Sequence, residues 1–302
     1  MPGSGRYPRG SVPDGLNLSM VANLEGGCRV SEMREGDSVT EGTLRIWDRI
    51  GRATGAQAIS LRVLEFAPGL SPGIRNADCD EILYVLDSEH EPVTERGSVM
   101  ERGHPVRPSE HSERAPAVDV SAQLNINGHP FQLSPDTGIY LHPGATFAVN
   151  NPGPASIVMI SSQCPEPDRE PEFVSAEISP SDSSQTKPPL VRLSDRPAQP
   201  TADRWYRVLV DDEIGSTNAT QFVGSIPPGR APDHFHQYEE VLFILRGEGG
   251  MWAGQTHTPI APGSCIYLPK GQVHCVENTG TGELRLLGVF YPAGSPSVRY
   301  DV

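Results

Sequence analysis

The chain has 302 residues, enough for two ordinary domains, of which 36% are hydrophobic and 21% charged. A formal charge of −14 leaves no basic stripe to neutralise phosphates, which excludes a nucleic-acid partner and disfavours an anionic membrane surface. With 31 Gly and 30 Pro, the composition fits many short strands joined by turns, and long amphipathic helical patterns are scarce, so the expected fold class is all-β.

No stretch reaches the length of a transmembrane helix. Five cysteines (Cys28, Cys79, Cys164, Cys265 and Cys275) are odd in number and form no CxxC pair. This argues against a disulfide framework or a structural zinc site and for a cytoplasmic location.

In chain order, residues 1–40 read as a tail and arm whose first fifteen residues lack the apolar core of a signal peptide. A strand-rich unit follows over 41–162, with strands predicted at Thr43 to Ile50, Ala58 to Gly69, the EILYVL run from Glu81, and Asp136 to Asn151. A polar, Pro-bearing insertion at 87–119 interrupts it. The insertion's His90, His104 and His111 have no ligand-like spacing, and its composition predicts a disordered or loosely docked loop rather than a lid. Residues 163–200, rich in Pro, Ser, Asp and Glu, read as a linker in which PPLVRLSD rests against a domain. The last unit, 201–302, begins with the strands YRVLVDD and ATQFVGSIPPG.

This last unit holds the densest chemistry. His234 and His236 are two apart and therefore share a face of a strand, and Glu240, four further on, keeps that face. His274 comes from a neighbouring strand after the turn Pro269-Lys270-Gly271. Three imidazoles and a carboxylate suit iron, manganese, zinc, nickel or cobalt but not calcium, which prefers oxygen shells. Strand parity turns Cys275 away from His274, to pack between sheets, and makes Leu242 and Ile244 inward apolar neighbours of Glu240. Tyr267, Trp252 and Gln221 are candidate pocket residues.

The blocks Pro227 to Gly247 and Gly263 to Asn278 resemble the two motifs of the cupin superfamily. Gly229, His234, His236, Glu240 and Gly247 match the first, with one residue fewer than usual between Gly229 and His234. Gly263, Pro269, Gly271, His274 and Asn278 match the second at every position. The resemblance implies a jelly-roll barrel with one divalent metal per chain on His234, His236, Glu240 and His274. An internal repeat makes the chain similar to two-barrel cupins: Ala67 to Asp87 aligns with the first motif and Asp136 to Asn151 with the second. In that copy Arg75, Ala77 and Phe147 stand where the histidines are, and only Glu81 remains. The first barrel should therefore bind no metal, and Glu81 is expected to pair with Arg75.

An apolar barrel with one metal predicts a metal-dependent enzyme acting on a small organic substrate that chelates the ion. The resemblance to quercetinase-like cupins favours iron(II) and a dioxygenase, an oxidoreductase. The alternatives are non-redox chemistry (isomerase, epimerase, decarboxylase or a hydrolase like ureidoglycine aminohydrolase) or non-catalytic small-molecule binding. A homodimer is the expectation that the resemblance carries.

Overall fold

The computed structural model describes residues 21–76, 78–87, 121–169, 171–176, 188–298 and 300–301. The tail to residue 20, Ala77, residues 88–119 of the insertion with their three histidines, and linker residues 177–187 lie outside the described residues. Within the described residues the chain is all-β. Four antiparallel sheets form two jelly-roll barrels in tandem, and the helical content is short 3-10 turns such as Arg52–Thr54 and Asp212–Ile214. Among these residues no helix is long and apolar enough to cross a membrane.

In the C-terminal barrel the larger sheet contains Thr220–Ile226, Glu239–Arg246, Ser264–Leu268 and Leu284–Tyr291. The smaller contains His234–Phe235, Gly249–Ala253, Thr256–Ile260 and His274–Asn278. Alternation along each strand divides the larger sheet's side chains between two cores. Leu242 and Ile244 face the barrel interior beside Met251, Ile266 and Leu286. Val241, Phe243 and Leu245 face the other way. The N-terminal barrel repeats this: Leu83 and Val85 point inward, whereas Ile82 and Tyr84 point outward. The two outward sets meet in one apolar core that joins the barrels back to back. A Cβ on Gly138 would lie 2.5 Å from Gln221 Oε1 and 2.9 Å from Leu209 Cβ, so only glycine allows the barrels to approach this closely there.

Edge strands are exchanged across that junction. Arg29–Glu32, which precedes the first barrel in sequence, pairs with Ser264–Leu268 of the second. Leu190–Arg192, which precedes the second barrel, pairs with Thr137–Leu141 of the first. Each barrel's larger sheet thus has an edge covered by the segment leading into the other barrel. The stretch read as linker also supplies Glu172–Val174, which pairs with Gly73–Arg75.

A matched pair of carboxylates reinforces the junction. Glu239 accepts the backbone N–H groups of Gln57 (2.8 Å) and Ala58 (2.6 Å), and the hydroxyl of Tyr267. Its counterpart Asp80 accepts from Tyr140 Oη at 2.8 Å and Asn218 Nδ2 at 2.7 Å.

Candidate metal centre

The centre is assembled by strand pairing. His234 is the register partner of His274, which places the two imidazoles side by side on the smaller sheet. His236, just past the end of its short strand, stacks on Tyr238 (ring centroids 4.8 Å apart), and Tyr238 stacks on Phe290 at 4.5 Å. The ligand atoms of His234, His236 and His274 lie within 4.8 Å of one another. Glu240 reaches this group from the larger sheet, its Oε2 3.4 Å from His236 Nε2.

Hydrogen bonds define which ring nitrogens point inward. His234 Nδ1 lies 3.0 Å from Pro232 O, and His274 Nδ1 lies 2.8 Å from Gln272 O. A carbonyl only accepts, so each Nδ1 carries the hydrogen and donates it, leaving the Nε2 lone pair for a cation. Burial lowers the pKa of His236 to about 3 and that of His274 to about 4, with the neighbouring imidazoles adding to the effect. Both rings are therefore neutral donors at physiological pH. Burial also pushes the Glu240 carboxyl up to about 8. A buried carboxyl group beside convergent neutral imidazoles is a donor set that a divalent cation fits, because the cation would displace the carboxyl proton, neutralise the resulting anion and use the imidazole lone pairs.

The histidines and Glu240 open into a cavity of about 120 Å³. Its walls include Phe222, Leu242, Leu268, Val276 and Leu286, with Arg204 and Tyr206 further along. Gly288 makes room for the Phe222 ring, since a Cβ there would lie 2.3 Å from a ring carbon.

The three candidate pocket residues lie elsewhere. Tyr267 shares its strand face with Cys265 and sits in the inter-barrel core, bonded to Glu239. Gln221 faces the same junction, its Nε2 3.4 Å from Leu83 O, while its neighbour Phe222 points inward. Trp252 lies on the outer face of the smaller sheet, stacked on His257 at 4.1 Å and donating to Glu277 Oε2 at 2.9 Å. Each is one residue out of phase with the cavity. Cys275 is also on that outer face, opposite Trp252, where Arg230 Nε lies 3.1 Å from its Sγ. It is buried there, not between the sheets. Tyr238, Tyr206 and Arg204 were missed; the even spacing of Tyr238 from His236, and of Arg204 and Tyr206 along one strand, was the available signal.

The eroded copy also departs from expectation. Glu81 pairs with Arg62 Nη2 at 2.6 Å, not with Arg75. Arg75 does not hold the place of His234: Ile74, buried and the register partner of Phe147 as His234 is of His274, takes it, while Arg75 is exposed and turns to Thr146 and, at 3.6 Å, Glu172. Phe147 is fully buried in the first barrel's core, where an imidazole would point in the second.

Residues 222–290 match the family model described as Cupin domain. These residues form a cupin domain. Over 70 residues the chain is 34% identical to auxin-binding protein 1 of Arabidopsis thaliana, covering 20% of the chain and 35% of that protein. Over 66 residues it is 36% identical to the oxalate-binding protein of Thermotoga maritima, covering 21% of the chain and 54% of that protein. The chain thus spans between about a third and a little over half of these relatives' lengths. Among solved structures, a Bacillus subtilis oxalate decarboxylase variant superposes with a TM-score of 0.62 at 12% identity, covering 88% of this chain and 77% of that one. A glyoxylate-induced protein from Pseudomonas aeruginosa gives 0.61 at 15% identity, covering 94% of each chain. At these identities the likeness is one of fold.

Proposed function

We propose that this cupin is a mononuclear metal-dependent enzyme whose C-terminal barrel carries out oxygenase chemistry on a small organic substrate, with iron(II) as the working metal. The observation that carries the reading is the convergence of His234, His236 and His274 on one point beside a buried Glu240, at the head of an apolar cavity. His234, His236, His274 and Glu240 would hold a divalent ion, which would supply Lewis acidity and, as iron(II), electrons for dioxygen.

The chain's own residues provide orientation and a dry site. The carbonyls of Pro232 and Gln272 hold the Nδ1 hydrogens of His234 and His274 and fix both rings. Phe222, Leu242 and Leu286 exclude water along the cavity. Among the described lining residues Glu240 is the one carboxylate, and the histidines belong to the donor set. No separate carboxylate or imidazole is then left in the lining to serve as the general base that isomerisation or hydrolysis calls for, which supports chemistry carried by the metal.

A second reading, decarboxylation of a small acid without net redox change, draws support from the resemblance to the Thermotoga oxalate-binding protein and from the fold shared with oxalate decarboxylase. Elemental analysis of the purified chain, followed by dioxygen-uptake and anaerobic assays over catechols, enolisable diketones and short dicarboxylates, separates the two. Iron with substrate-dependent oxygen uptake supports the first reading. Carbon dioxide release continuing without oxygen, with manganese or zinc bound, overturns it in favour of the second.

A further inference from the structure

The cavity that opens from the histidines is also lined by a positive charge, Arg204. Strand register places Glu240 in one row with Phe290 and Thr220. The next inward row holds Leu242, Gly288 and Phe222, and the third holds Ile244, Leu286, Gly224 and Tyr206. Arg204 is two residues from Tyr206 on the same strand and therefore takes the same face one row further. Six residues of strand separate it from the Glu240 row, roughly 20 Å at ~3.3 Å per residue, whereas packed sheets stand only about 10 Å apart. Yet Arg204 and Glu240 line one cavity.

Arg204 is the one cation among the described lining residues. Its side chain is 18% exposed, and among the described residues its partner is Asp203, whose Oδ1 accepts from Nε at 3.1 Å. That partner is itself 65% exposed, so the pair contributes little, and the two terminal nitrogens of the guanidinium make no hydrogen bond among the described residues. A guanidinium lining a largely apolar channel, with Thr201 and Tyr206 beside it, is suited to grip a carboxylate by paired N–H donors.

We propose that the substrate is a slender chelating acid: a metal-binding head at the histidines, a narrow apolar body along Phe222, Leu242 and Leu286, and a carboxylate held by Arg204. The assignment rests on the metal reading above. Arg204 is on this view the residue that selects the substrate's charge and length, and the body it admits is on the order of a single ring, since a comparable apolar cavity of about 150 Å³ holds benzene.

The test compares two chelators with the same head, catechol and 3-(3,4-dihydroxyphenyl)propanoate, titrated anaerobically into the Co(II)-loaded full chain and followed by calorimetry and the cobalt absorption bands. The acid should bind about tenfold tighter or better, the range expected for a hydrogen-bonded charge. The preference should shrink as salt is raised. In R204Q it should vanish with catechol affinity and cobalt content unchanged, and R204K should keep part of it. Cobalt bound and both chelators binding equally well to the wild-type chain overturns the Arg204 assignment and leaves the metal reading standing. A wild-type chain that takes up no cobalt overturns both. Because salt dependence is read on the wild-type protein, the proposal can fail even when R204Q does not fold.

Discussion

In the N-terminal barrel Glu81 is fully buried, and its Oε1 accepts from Arg62 Nη2 and Ser161 Oγ, each at 2.6 Å. In the C-terminal barrel Glu240 holds the same place on the matching strand but faces His236, a member of the histidine cluster. When Ala67-Pro68-Gly69 is laid on Pro227-Pro228-Gly229, Arg62 falls on Phe222, and both point into their barrels. A carboxylate taken out of water has to be neutralised. One barrel supplies the cation covalently, as a guanidinium, and fills the space of a missing imidazole with Phe147. The other offers lone pairs and an apolar wall where the arginine would be. The same buried acid on the same strand can thus be matched either by a guanidinium from a neighbouring strand or by a set of convergent imidazoles.

The largest effect expected of this contrast is on metal binding. His234→Ala or His274→Ala should weaken divalent-metal affinity by about 100-fold or more, judged against the 10–100-fold effects of merely supporting residues. Equilibrium dialysis with elemental analysis reads this, and unchanged metal content would show that the triad is not the ligand set. Arg62→Met tests the other side. It leaves Glu81 buried without its ion-pair partner and should cost about 3–5 kcal/mol in denaturant unfolding, and the double variant with Glu81→Leu should recover most of that loss. Metal stoichiometry in the double variant should stay near that of the parent, and a second ion per chain would break the contrast between the barrels.

A smaller loss, about 1–3 kcal/mol, is expected for Glu239→Gln, which weakens the acceptor for Gln57 and Ala58 N–H at the junction. Asp80→Asn should behave similarly if the two clasps are equivalent, and unfolding curves of the pair measure how symmetric the junction is.

The subtlest effect is in pH dependence after metal removal. The Glu240 carboxyl is raised from 4.5 to about 8, so its contribution to stability is complete below 4.5 and is lost as pH rises towards 8. His236 and His274 are lowered from 6.5 to about 3 and about 4, so their contribution is present above 6.5 and lost as pH falls. The metal-stripped protein should therefore be most stable near pH 6.5, while metal loading should abolish the decline from 6.5 to 8. Thermal melts against pH with and without chelator check this; a stripped protein that gains stability up to pH 8 would remove Glu240 from the site.

The fold class, the repeat and the three histidines were legible in the chain because they depend on local pattern. HxH on a strand, a Gly-bearing turn and apolar alternation each act over a few residues, and the strands predicted at Thr43 to Ile50 and in YRVLVDD lie where Leu44–Ile50 and Arg204–Val210 form. Pocket membership was not legible for Tyr267, Trp252 and Gln221, since a one-residue change of phase moves a side chain from the cavity to the junction or to the outer face. The partner of Glu81 was equally hidden. Arg62 is 19 residues away in sequence and meets it only because both strands flank Ile157–Cys164 in one sheet.

Local sequence therefore sets the chemical groups and the strand periodicity that carries them. Only the tertiary structure decided which faces become cavity, which edge strands cross between barrels, and where Arg204 sits relative to Glu240. Those follow from sheet register and from the packing of two outward faces against each other, and both are long-range properties that no window of neighbouring residues contains.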